Sequence, residues 1–231
     1  LACEDDSPIF DAITRYRRLI GSLLHLTYTR PDLSSGVSIS ASSQVLQDEV
    51  ISKQLFKFLG IWPHIEYGLL FRGGIGLVGY LDADCAGDTD CRRSTSSYCF
   101  VLGSSLISWK SKKKISVSTS STKAEYRAYL DTCCEFLWLM QLLCHIGVSQ
   151  DSPIQVFTEA KALPHSSVFY GSMKNTEVHY HFVRKLIDSQ VINLAYCPAQ
   201  ENVVDLFIKP LPSQTIDRHL GQLHLRPPFK N

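Results

Sequence analysis

The sequence predicts an α/β fold, a mixed sheet covered by helices, and two observations lead there. From Tyr67 onward, short β-type runs divided by turn residues alternate with longer helical patterns, which is the pattern of an α/β layer architecture. Hydrophobic residues make up 45% and aromatic residues 10% of the 231-residue chain, enough to build a core beneath such a sheet.

Taken in order, residues 1–10 are acidic and irregular and read as a linker. From Asp11 the pattern turns helical: Tyr16, Leu19, Ile20, Leu23, Leu24 and Leu26 recur near helical spacing, with Arg15, Arg17 and Arg18 on another face. The run stops at Thr29-Arg30-Pro31-Asp32, because Pro31 pushes Arg30 out of helical geometry and itself suits the first turn of a new helix. A second helix is expected over 33–46 and a third over 50–59, the latter carrying Leu55, Phe56, Phe58 and Leu59. Short β-type runs follow at 67–71, 75–81, 98–102 and 106–109, with Gly103-Ser104-Ser105 suited to a hairpin link. Ser120-Ser121-Thr122 opens a long helix to Ile146, closed by Gly147 as a C′ residue. A strand at 154–158, a helix at 178–189, a strand at 191–196 and a short helix at 203–211 complete the domain. Residues 213–231 read as a tail.

Composition excludes several classes. No apolar run approaches the roughly 20 residues needed to span a bilayer, so no membrane partner is expected. A net charge of +1 gives no whole-protein field for a nucleic acid, so any basic footprint is local. The eight cysteines form no Cys-x-x-Cys pair and none stands beside a His at zinc-finger spacing, which points to free thiols in a reducing compartment. Cys133 and Cys134 fall in an apolar helical pattern, where Cys acts as a small hydrophobe. The chain begins at Leu1 without a signal-peptide pattern and reads as a piece of a longer protein.

The acidic residues carry the chemistry. Asp82, Asp84 and Asp88 fall within seven positions of the strand-and-turn stretch at 79–88, where mutual repulsion is relieved most easily by a cation. Mg²⁺ prefers oxygen donors and is usually held by one or two carboxylates together with waters and substrate phosphates. Asp82 ends a strand, Glu125 sits in the first turn of the long helix, Glu159 follows a strand, and Asp205 begins the last helix. Four acids at four element termini suit a two-metal site, where ions about 3.5–4 Å apart activate water and stabilise a leaving oxygen. Each also has a bland role. Thr122-Lys123-Ala124-Glu125 is a capping box, Asp205 favours a helix N-terminus, and Glu159 suits a surface. Only their joint placement favours the metal. Arg92, Arg93, Lys110, Lys112 and Lys113 could neutralise phosphates or simply protect a solvated hairpin edge. His179 and His181, two apart on a helix, fall on different faces and are not expected to share a metal.

The chain also carries motifs of a known family. Tyr16-Arg17-Arg18-Leu19-Ile20-Gly21-Ser22-Leu23-Leu24, Thr29-Arg30-Pro31-Asp32, Gly79-Tyr80, Asp82-Ala83-Asp84 and Ala86-Gly87-Asp88 come first. Arg93-Ser94-Thr95-Ser96, Ser108-Trp109-Lys110-Ser111-Lys112-Lys113, Ala124-Glu125-Tyr126-Arg127-Ala128, Tyr180-His181-Phe182-Val183-Arg184 and Lys209-Pro210-Leu211 follow in order. Together they resemble the ribonuclease H region at the C-terminal end of copia-type LTR retrotransposon Pol polyproteins. The resemblance implies a ribonuclease H-like mixed five-stranded sheet with flanking helices, preceded by a small helical connection segment. It places that segment at 1–70, the end of the reverse transcriptase region, the ribonuclease H-like domain at 71–212, and a C-terminal tail at 213–231.

It also implies Mg²⁺-dependent cleavage of the RNA strand of an RNA–DNA hybrid during reverse transcription, with two Mg²⁺ held by Asp82, Glu125, Glu159 and Asp205. The expected partners are the hybrid and the upstream reverse transcriptase region of the same polyprotein. The expected setting is intracellular, a cytoplasmic particle or the nucleus. The polymerase's own Tyr-x-Asp-Asp type motif is not in this chain, so no polymerase activity is expected.

Departures from the family pattern concentrate near the site. Glu159-Ala160 stands where the family has Asp-Asn, and a displacement of about 1 Å can cost around 10²-fold in rate. The family's His-x-Arg-Thr-Lys-His stretch appears as Tyr170-Gly171-Ser172-Met173-Lys174-Asn175, which leaves Lys174 as the remaining substrate-contact candidate. Lys123 adds a positive charge where the family carries Glu, and Ser97 replaces a Gly. A catalytically inactive remnant, keeping the fold with weak nucleic-acid binding or a structural role in the reverse transcriptase, is therefore the alternative expectation.

Overall fold

Alternation along the strands sorts apolar side chains onto two faces of one sheet, and both faces need a cover. The computed structural model describes residues 8–42, 67–84, 95–113, 121–150, 152–159, 174–209 and 211–227. Along the chain these form α1 (Pro8–Leu26), a 3-10 turn (Pro31–Leu33), α2 (Ser34–Ser42), β1 (Gly68–Leu69), β2 (Leu77–Asp84), β3 (Thr95–Leu102) and β4 (Ser105–Lys113). Then come α3 (Ser121–His145), β5 (Ile154–Thr158), α4 (Lys174–Asp188), β6 (Ile192–Tyr196), α5 (Asp205–Ile208), α6 (Ser213–Gln222) and β7 (Leu225–Arg226).

The main sheet has five strands in the order β4-β3-β2-β5-β6. The pairs β2–β3 and β3–β4 are antiparallel, while β2–β5 and β5–β6 are parallel. This is the ribonuclease H-like mixed sheet that the resemblance implies. On one face, Leu77, Leu81, Tyr98, Phe100, Ile154, Val156 and Ile192 pack with Tyr129, Phe136 and Leu143 of α3 and Val183 of α4. On the other, Cys99, Val101 and Leu106 pack with Leu206 and Phe207 of α5, Leu220 of α6, and Leu223 and Leu225. The register of β3 against β4 shifts at Phe100/Val101, and the bulge lets Ile107 reach the first cluster while Leu106 and Trp109 join the second.

Helix ends follow local rules. Gly147 sits at φ 80, its N–H bonds to the Cys144 carbonyl (3.0 Å), and the Val148 N–H bonds to that of Leu143 (2.9 Å), a Schellman closure. Gln190 closes α4 the same way at φ 54, without glycine's freedom. The hairpin between β3 and β4 turns at Gly103, φ 61, where an added Cβ would stand 2.5 Å from the Gly74 backbone. Only a glycine pair permits that approach.

Three expectations are revised. Residues 213–227 are not a tail: α6 buries Leu220 and His219 under the sheet, and β7 pairs with β1, Gly68 against Arg226. The proline at 212 stands at the start of this helix instead of ending the fold. Of the adjacent cysteines only Cys133 is buried, which pushes its thiol up to about 12, whereas Cys134 is exposed. The predicted second helix begins with the 3-10 turn at Pro31, with Arg30 at φ −127 and Arg30 making a two-pronged ion pair to Asp32 (2.9 and 2.7 Å). The predicted third helix, 50–59, lies outside the described residues.

The helical segment rests against the sheet. Trp109 Nε1 on β4 donates to the Thr27 carbonyl (2.9 Å), and α2 packs against α5 and β4. Among the described residues no helix is long and apolar enough to cross a membrane.

Candidate active site

Parallel pairing of β2 with β5 sets Leu81 opposite Thr158, so the next residues along, Asp82 and Glu159, emerge side by side. Asp205 begins α5, which lies under the same face of the sheet. One carboxylate oxygen from each of Asp82, Glu159 and Asp205 lies within 4.8 Å of the others. The Asp82 and Asp205 side chains are 13% and 8% exposed. Burial, reinforced by Asp82 and Asp205, holds the Glu159 carboxyl above its ordinary range. Burial likewise raises Asp205, against the hydrogen bond from Lys209.

Lys209 stands among these acids. Its Nζ lies 2.9 Å from Asp205 Oδ1 and 3.5 Å from Asp82 Oδ2. Burial works against its ammonium, but the bond to Asp205 and the neighbouring carboxylates outweigh it, and its pKa is raised. Three carboxylates against one ammonium leave two negative charges to be balanced. Oxygens sharing one octahedral Mg²⁺ at 2.0–2.1 Å stand about 2.9–4.2 Å apart, so this set of hard donors fits such an ion after small adjustments.

Asn202 organises the cluster, although nothing in its immediate sequence marks it as a site residue. It is fully buried. Its Nδ2 donates to the Leu81 carbonyl (3.2 Å), one residue before Asp82, and toward Glu159 Oε1 (3.4 Å). Its Oδ1 accepts from the Val204 N–H (3.4 Å), and its carbonyl from the Asp205 N–H (3.1 Å). One amide therefore ties together the three elements that carry the acids. The available signal was an Asn three residues ahead of a helix-starting Asp, a turn-forming spacing. Lys209 likewise follows Asp205 at i+4, the spacing of a helical ion pair. We expect Asn202→Ala to cost about 1–3 kcal/mol, because two acceptors lose their donor, and to weaken Mg²⁺ binding about 10–100-fold. Thermal melts and Mg²⁺ titration of the variant check both numbers.

The other predicted residues divide. Glu125 lies near the start of α3, and its side chain, like the capping box around it, is outside the described residues. Arg92 and Arg93 are also outside them, as are the side chains of Lys113 and Lys174. Lys110 is exposed on the edge strand β4, as is Lys112 two residues on. They pair with Tyr98 and Ser96, whereas Asp82 pairs with Ser97 and Ser97 with Ser111. The pleat therefore turns both lysines to the α3 face, away from Asp82. On that α3 face, Tyr98 Oη and Ser108 Oγ both donate to the half-buried Glu135 (3.1 and 2.7 Å), which ties α3 to β3 and β4.

No protein-family profile matches the chain. It is 34% identical over 225 residues to the retrovirus-related Pol polyprotein from transposon RE2 of Arabidopsis thaliana, covering 93% of this chain and 15% of that protein. It is 39% identical over 132 residues to secreted RxLR effector protein 161 of Plasmopara viticola, covering 54% of this chain and 90% of that one. Among solved structures, LC11-RNase H1, isolated from compost, superimposes with a TM-score of 0.44 at 13% identity, over 63% of this chain and 99% of that one. The chain thus spans 15% of the length of the transposon polyprotein it matches.

Proposed function

Because the chain belongs to the retrovirus-related Pol polyproteins of copia-type transposons, we propose that it is their ribonuclease H region and cuts the RNA strand of RNA–DNA hybrids. The observation that carries this reading is the meeting of Asp82, Glu159 and Asp205, from three separate elements, within 4.8 Å. Asp82, Glu159 and Asp205, joined by Glu125 from α3, would hold two Mg²⁺. Bound there, the metal supplies an activated water and a clamp on the phosphoryl oxygens. Asn202 holds Glu159 and the Leu81 carbonyl, one residue before Asp82, in register, so the ligand set is prepared before substrate arrives. Lys110 and Lys112 engage the hybrid's phosphates around the sheet edge, an electrostatic contact that weakens with salt; Arg92, Arg93, Lys113 and Lys174 are the further residues assigned to phosphate contact by their charge. Residues 1–70 join the domain to the polymerase region, the partner within the polyprotein.

The Glu159 carboxylate reaches the cluster despite its extra methylene. Glu159→Asp is accordingly expected to change the rate by less than about ten-fold, short of the roughly 10²-fold loss that an ångström's misplacement brings. The alternative, a non-catalytic relative with the same fold, is favoured by Glu159 standing where the family carries Asp. Cleavage of a labelled RNA–DNA hybrid, in Mg²⁺ and in EDTA, separates the two. The nuclease reading expects cleavage by the parent chain that EDTA abolishes. Folded parent and Glu159→Asp proteins that both leave the hybrid intact would remove it, and salt-sensitive binding without cleavage would identify the remnant.

A further inference from the structure

We propose that Lys209 is an internal counter-ion competing with the divalent cation for Asp82 and Asp205, so that metal binding requires its ammonium to withdraw. This rests on the metal-site reading above but not on cleavage. The geometry points to it in two ways. The ammonium touches oxygens of two of the three clustered carboxylates, at 2.9 and 3.5 Å, so ion and ammonium draw on the same donors. Its exit is also built in. Lys209 caps α5 in extended conformation, φ −115 and ψ 145, its N–H anchored to the Asp205 carbonyl (3.0 Å), while its side chain remains 37% exposed. The backbone stays in place while a flexible four-carbon stem carries the charge toward solvent.

Two consequences follow. Without the cation, Lys209 offsets the repulsion among the acids and keeps the site assembled. With the cation, the contact it gives up is subtracted from the metal's affinity.

The test is Mg²⁺ titration of the full chain by calorimetry, with thermal melts in EDTA and in Mg²⁺, for the parent, Lys209→Met, Lys209→Gln and Lys209→Arg. Removing a charge at this distance is expected to tighten Mg²⁺ binding on the order of ten-fold or more. The neutral variants should melt lower than the parent in EDTA and gain more from Mg²⁺, whereas Lys209→Arg should follow the parent. A neutral variant that folds only when Mg²⁺ is added shows the same dependence in stronger form. Equal or weaker Mg²⁺ binding by the neutral variants would overturn the proposal, as would an Arg variant that behaves like Met. So would absence of Mg²⁺ binding in every protein, which would also remove the metal site. If the neutral variants bind tighter while no protein cleaves a hybrid, the counter-ion role stands and the nuclease function falls.

Discussion

Asp82→Asn is expected to lower Mg²⁺-dependent cleavage of an RNA–DNA hybrid by more than about 100-fold while leaving the fold intact. Loss of an outer partner of a metal ligand already costs 10–100-fold, and Asp82 supplies a ligand oxygen itself. Asn keeps the shape and one oxygen but removes the charge. The effect on stability is small for a definable reason. Asp82 raises the Glu159 and Asp205 carboxyls, so its removal relieves repulsion, while Lys209 gives up only its longer contact, at 3.5 Å, and keeps Asp205 at 2.9 Å. A melting temperature in EDTA close to that of the parent, beside collapsed activity, is the expected pair of results. Activity within about ten-fold of the parent would remove Asp82 from the metal site.

Phe100→Ala carries the largest expected cost in stability, about 3–5 kcal/mol. Phe100 lies on β3, fully buried, in the layer between the sheet and α3. Its ring stacks with Phe136 at 6.4 Å and leans on Tyr98 at 5.9 Å. The neighbouring strand is shaped around it: a Cβ at Gly79 would meet Phe100 Cε1 at 2.8 Å and Val156 Cγ2 at 3.3 Å. Gly79 is thus explained by close packing of the ring, not by backbone freedom. Truncation leaves a cavity that strand and helix backbones cannot close, and at 2–4 °C per kcal/mol the melting temperature should fall by about 10 °C. Thermal melts at fixed Mg²⁺ measure it. A loss below about 1 kcal/mol would mean that α3 settles into the space.

Much of this was legible in the chain. Tyr98-Cys99-Phe100-Val101 alternates between the two clusters, and 154–158 coincides with β5 because its flanks carry turn residues. Gly147 ends α3 where its left-handed conformation requires. Glu159 and Asp205 were identifiable as acids at element ends; Asp82, expected to end its strand, instead lies within β2, which pairs with β3 as far as Asp84. Other features were not legible. The strands β1 and β7 are two residues each, too short for any period to emerge, and they exist because the chain's two distant segments meet. Helix α6 was hidden behind the prolines at 210 and 212, which read as an end when the second of them opens a helix.

What the sequence by itself determined is the set of local choices: which runs alternate, which turn, and which ends carry charge, because these depend on neighbours a few residues away. What only the tertiary structure decided is which of those charges meet. Asn202 touches Leu81 across a separation of 121 residues and Glu159 across 43, and Lys209 reaches Asp82 from the far end of the domain. The same pleat that brings Asp82 beside Glu159 turns Lys110 and Lys112 to the opposite face. Those relations follow from parallel pairing of β2 with β5 and from the docking of α5. Both are non-local contacts driven by burial of apolar faces, and no window of sequence contains them.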